Sequence, residues 1–207
     1  KRKPKHRPKP IRRGRLAGAS LQAYLKGDLN RALSMSSASG LSPKTVSDMK
    51  KLKQLFERGK ELARNPGMAP TALKFLKKAY GIDQKLSGGK GKLRNQLNKL
   101  LAKVYFIIGT DAQNRHKYEK AFQSYNAALR HRPDLTQARN RLQDLEKQAR
   151  RIYEQAYVFK STDPERSTRL CKTVMKMVTP KAYAYRRCKK LLASLSPQGG
   201  GGEEEDF

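Results

Sequence analysis

Tryptophan is absent from this 207-residue chain, and cysteine occurs only twice, at Cys171 and Cys188. Two cysteines are too few for a disulfide framework and lack metal-ligand spacing, so reduced thiols are expected, with one bridge as the alternative. Long apolar runs are missing as well. The longest, Val104-Tyr105-Phe106-Ile107-Ile108, falls far short of the roughly 18 residues that a membrane-spanning helix needs. A soluble, cytoplasmic chain is expected, or one tied to a membrane only through a segment upstream of Lys1. Because the sequence starts at Lys1 rather than Met, it reads as a piece of something longer.

Acidic residues are scarce: 17 Asp and Glu stand against 47 Lys and Arg, a net charge of +30. Such a surface favours anionic partners, whether an acidic protein or peptide, nucleic acid or an anionic membrane surface. Signals for enzyme chemistry are scarce too. His6, His116 and His131 have no carboxylate or cysteine grouped around them. The segment 87–93, SGGKGKL, lacks the phosphate-loop spacing and a Ser or Thr after its lysine, so it reads as a flexible helix connector. No enzyme activity, cofactor or metal is expected.

What the chain does have is helical periodicity. Apolar residues recur at three- and four-residue steps with no run of alternation, which predicts helices over about 15–26, 29–38, 44–64, 69–82, 91–109, 117–131, 135–160, 164–178 and 181–195. Gly and Pro residues mark the breaks, including Gly109 to Asn114, and Asp134 or Thr136 and Asp163 are the expected helix caps. Residues 1–14 interleave proline with charge and are expected to form a disordered basic arm. Its Lys1, Arg2, Lys3, Lys5, Arg7, Lys9, Arg12 and Arg13 are the candidate polyanion-binding residues. Residues 15–195 are the helical domain. Residues 196–207 are expected to form a flexible glycine-rich linker with the acidic tip EEEDF, which could dock in cis. No interleaving of aromatics with the charges and no stacking platform is visible, which disfavours sequence-specific reading of nucleic acid.

One segment repeats. In residues 116–135, Tyr118, Ala121, Tyr125, Ala128, Leu129 and Pro133 fall at the spacing A-x3-[FY]-x2-A-[L]-x3-P. This resembles the second helix of a tetratricopeptide repeat. Weaker copies place Ala32, Ala72 and Ser167 at the same small-residue position as Ala121, and the degraded last copy continues with Cys171, Val174 and Met175. The order of these segments further resembles the C-terminal repeat region of bacterial, myxobacterial-type proteins that carry a forkhead-associated phosphopeptide-binding domain. The resemblance implies an all-α fold, a right-handed solenoid of about four helix pairs plus a terminal helix.

It also implies a concave groove lined by the first helix of each pair. Those helices offer Lys53, Phe56 and Lys60, then Lys99, Lys103 and Phe106, then Tyr153, Tyr157 and Lys160. Phe56, Phe106 and Tyr153 are as readily core between stacked pairs, which leaves Lys53, Lys60, Lys99, Lys103, Tyr157 and Lys160 as the groove. The function expected is a non-enzymatic scaffold that binds an acidic peptide or protein segment there. The alternative is nonspecific binding of nucleic acid or anionic lipid through the arm and the basic surface.

Overall fold

A computed structural model describes residues 18–196. The arm 1–14, its eight candidate residues and the acidic tip lie outside the described residues. Those residues are 80% helix with no strand. They form α1 (Gly18–Leu25), α2 (Leu29–Ser34), α3 (Pro43–Leu62), a 3-10 turn (Pro66–Met68), α4 (Ala69–Ser87), α5 (Lys92–Asn114), α6 (Tyr118–His131), α7 (Thr136–Val158), α8 (Pro164–Met177) and α9 (Tyr183–Leu195). None of these helices is long and apolar enough to cross a membrane.

Helix starts follow local chemistry. Side-chain oxygens of Asp28, Ser42 and Asp163 accept backbone N–H groups of Arg31, Thr45 and Arg166, and proline opens α3 and α8. The start of α7 departs from expectation. Its cap is Leu135 with no side-chain bond, because Asp134 is drawn instead to Arg132, 2.8 Å away.

The chain packs as two compact units, Lys1–Val104 and Tyr105–Phe207. In the first, α3 lies along α4 and α1 along α2. Its core buries Tyr24, Met49, Leu52, Leu76, Leu86, Leu97 and Leu101. Each such side chain contributes about 1.5–3 kcal/mol by leaving water.

A polar knot joins α1, α4 and α5 within that core. Arg94 Nε lies 2.6 Å from Asp83 Oδ2, and the two side chains are 7% and 0% exposed. Tyr24 donates to Asp83 Oδ1 at 2.6 Å, and the Arg94 guanidinium donates to Gln84 Oε1 and sits 3.6 Å above the Tyr80 ring. Burial, reinforced by the Asp83 carboxylate, pushes the Tyr24 pKa far above its ordinary value. This knot explains why α4 runs on to Ser87 rather than stopping near Ile82: its last turn holds Asp83 and Leu86, both buried. The glycine-rich connector is likewise held. Gly91 has φ +96° and lies so close to Leu25 that a Cβ would stand 2.8 Å from Leu25 Cα, so only glycine fits.

In the second unit α7 packs on α8, α8 on α9, and α6 on both α7 and α8. Its core is unusually rich in small side chains, with Ala112, Ala121, Ala128, Ala138, Ala149 and Ala156 gathered around Tyr125, Leu145, Val174 and Met177. Small residues let helix backbones approach closely and increase dispersion contacts.

One contact recurs through both units. The four small positions picked out in sequence, Ala32, Ala72, Ala121 and Ser167, are all 0% exposed. The helices α2, α4, α6 and α8 also each meet a small residue of the helix before them. Ser20 Oγ donates to the Ala32 carbonyl and Ser167 Oγ to the Ala156 carbonyl, both at 2.8 Å. A Cβ at Gly59 would stand 2.8 Å from Leu76 Cδ2, and one at Gly109 would stand 2.6 Å from Tyr125 Cε1. Gly109, read from sequence as a breaker, is thus an interior residue of α5, tolerated because it seats the Tyr125 ring.

Candidate functional site

The first unit has a cleft of 370 Å³ where the turn between α1 and α2 meets α3 and the start of α5. Asp28 caps α2 and so fixes this turn, while Gly27, with φ +85°, lets α5 come close. Lys53, Phe56 and Lys60 line the cleft from α3, at the i, i+3, i+7 spacing of one helical face. Phe56 is 5% exposed and forms part of the core beneath. Lys53 is not free, since its ammonium donates to Asn30 Oδ1 at 2.6 Å. Lys26 adds a third cation, whereas Asp28 and Glu57 bring two carboxylates, so the cleft is only weakly basic. Lys99 and Lys103 do not line it. They are exposed on the α5 stripe that begins at Gln96.

The other two groove residues belong to the second unit. Tyr157 is 59% exposed on α7, and Lys160 lies in the turn after it, its backbone N–H donating to the Tyr157 carbonyl. Around Tyr157 the fold assembles a surface that the helical spacing did not foretell. Tyr153, one turn back on α7, packs against the core, with its ring centroid 6.3 Å from that of Tyr157 and 6.3 Å from that of Tyr183 on α9. Tyr183 is 45% exposed. Arg150 and Arg187 approach its ring at 5.8 and 5.3 Å, and Arg187 Nε donates to its hydroxyl at 3.1 Å.

Aromatics are therefore interleaved with cations on this surface. A shallow cavity of 320 Å³, lined by Tyr183, Arg186, Arg187 and Lys190, adjoins them. Carboxylates are nearly absent: Glu154 is the only one in 150–160, and 183–195 has none. Burial raises the Tyr153 pKa, and the hydrogen bond with Tyr183 raises that of Arg187, so both keep their protons at neutral pH. The signal available in sequence was the i, i+4, i+7 spacing of Tyr183, Arg187 and Lys190. Its partnership with α7 is a tertiary fact.

Of the six groove residues, then, Lys53 and Lys60 share one cleft, Lys99 and Lys103 stand apart on α5 of the same unit, and Tyr157 and Lys160 lie close together in the other. Phe106 packs against the core beside Tyr125. No group of three or more His, Cys, Asp or Glu among the described residues could hold a metal ion. Comparison of the chain with protein-family models, with curated proteins and with solved structures gave no match.

Proposed function

We propose that this chain is a non-enzymatic interaction module that holds an acidic peptide or protein segment, and that the α7–α9 surface of Tyr153, Tyr157, Tyr183, Arg150, Arg186 and Arg187 is its main contact. The carrying observation is the exposure of two tyrosines among arginines, with one carboxylate in residues 150–160 and none in 183–195. Exposed tyrosine offers rigid contact area at low entropic cost, and arginine binds carboxylates through a planar fork. The cleft of Lys26, Lys53 and Lys60 is a weaker second contact.

The architecture proposed is a right-handed tetratricopeptide-like solenoid of four pairs, α1–α2, α3–α4, α5–α6 and α7–α8, closed by α9. What supports it is the contact that recurs in each pair, from Ser20, Gly59, Gly109 and Ala156 to the following helix. Kinship with the repeat region of forkhead-associated-domain proteins remains part of this proposal and rests on the order of the sequence segments. A second reading, nonspecific polyanion binding, draws on the net charge of +30.

Titration of a labelled glutamate-rich peptide containing one aromatic residue, at rising salt, separates the two. The peptide reading expects binding that persists at about 0.5 M NaCl, where the Debye length shortens to a few ångströms, and that falls about tenfold in Tyr157→Ala or Tyr183→Ala. A log-linear loss with salt and unaffected tyrosine variants would establish the polyanion reading instead.

A further inference from the structure

Cys171 and Cys188 are free, both 0% exposed, and sit at the centres of two facing helical stripes. On α8 the stripe is Ser167, Cys171, Val174; on α9 it is Ala184, Cys188, Leu191. Each follows the i−4, i, i+3 register, and every member is buried in one cluster or against it. Ser167 and Ala184 are small, which lets α8 and α9 approach closely at the cysteines. The thiols are near enough to interact: the Cys188 S–H directed at the Cys171 sulfur holds the Cys171 pKa below its usual range. The same contact, together with burial, raises the Cys188 pKa. Two adjacent thiols of this kind support thiol–disulfide exchange in either order, of which attack by Cys171 first is one.

We infer that Cys171 and Cys188 form a redox modification site, at which a low-molecular-weight disulfide closes an intramolecular bridge that locks α9 onto α8. Cys171 loses its proton, and the thiolate attacks one sulfur of the small disulfide RSSR. A mixed disulfide forms, and RS⁻ leaves to take up that proton. Cys188 then loses its proton, and its thiolate attacks the Cys171 sulfur. The protein bridge forms and a second RSH departs. Two electrons and two protons pass from the protein to the small disulfide. Burial of both thiols makes the reaction wait on opening of α9, the last described helix. Once closed, the bridge fixes the helix that carries Tyr183, Arg186 and Arg187. That consequence for peptide binding rests on the function proposed above, whereas bridge formation does not.

The test treats the full chain with oxidised glutathione, first in buffer and then in mild urea that opens α9 without global unfolding. The expected product has both thiols blocked, a mass lower by two hydrogens and a Cys171–Cys188 cross-linked peptide after digestion. Amide exchange in α9 should slow by about tenfold or more in that product. Cys188→Ser should stop at a single glutathione adduct on Cys171. Free thiols persisting in both conditions, a stable adduct on the unsubstituted chain, or intermolecular dimers in place of the bridge would each overturn the inference. A bridge that forms but leaves peptide affinity unchanged would sustain the redox site and count against the α9 peptide surface.

Discussion

Two glycines in helix interiors should respond in opposite directions to the same substitution. Gly81 lies in α4, where an added methyl would meet nothing within 4 Å, whereas at Gly109 in α5 a Cβ would stand 2.6 Å from Tyr125 Cε1 and 2.8 Å from Cδ1. Alanine gains about 0.8–1 kcal/mol over glycine in an exposed helix, so Gly81→Ala should stabilise the chain by about that amount. The same gain operates at Gly109, but it is set against overpacking, which costs about 1–3 kcal/mol in a close-packed core. The Tyr125 ring cannot move freely to relieve it, because its hydroxyl donates to Gln113 Oε1 at 2.7 Å and its neighbour Ala128 is fully buried. The net expectation is a loss of up to about 2 kcal/mol for Gly109→Ala, and a larger loss for Gly109→Val, which adds two further methyls. Urea unfolding followed by circular dichroism reads both variants against the parent chain. If Gly109→Ala raised the midpoint as Gly81→Ala does, the seat of Tyr125 on α5, and with it the recurring contact between paired helices, would be wrong.

Three further outcomes are expected. Arg94→Leu should cost about 3–5 kcal/mol by stranding the buried Asp83 carboxylate, and adding Asp83→Leu should recover much of it; a double variant no more stable than the single one would contradict the ion-pair account. Tyr24→Phe should cost about 1–2 kcal/mol near pH 7 by removing the hydrogen bond to Asp83. Because the folded state raises the Tyr24 pKa, its contribution is complete below the unfolded value near 10 and is lost as pH rises above it. The parent chain should therefore lose its advantage over Tyr24→Phe between about pH 10 and 11, and a constant difference across that range would contradict the assignment. Deleting residues 1–12 should leave helix content unchanged while weakening binding to DNA or anionic vesicles, since most of the arm's cations would be gone; loss of helix would refute the disordered-arm expectation.

Most helix positions were legible in the sequence because breakers and caps act locally. Asp28, Asp163 with Pro164, and Pro133 set boundaries where their own geometry demands them. Local reasoning failed where distant residues decide. The last turn of α4 depends on Arg94 meeting Asp83 across the connector, and α5 passes Gly109 because Tyr125 needs the space. Asp134 looks like a cap in sequence, yet it pairs with Arg132, whose hydrogen bond holds the Asp134 carboxyl below the usual range. For the candidate site the split is similar. Exposure of Tyr157 followed from helical spacing, whereas the meeting of Tyr153 and Tyr157 with Tyr183 and Arg187 depends on how α9 returns onto α7, which no local pattern encodes.

The central claim is that a placed surface, rather than net charge, recognises acidic segments. Reversing Arg186 and Arg187 to glutamate changes the chain's charge by the same amount as reversing Lys120 and Lys172, which are exposed on α6 and α8. Both pairs belong to the second unit, and at physiological ionic strength the Debye length is about 8 Å, so remote charges are largely screened. Affinity for the glutamate-rich peptide should fall about tenfold or more in the α9 pair and less than about twofold in the α6 and α8 pair. Equal losses in the two would contradict the claim and leave the basic field alone as the source of binding.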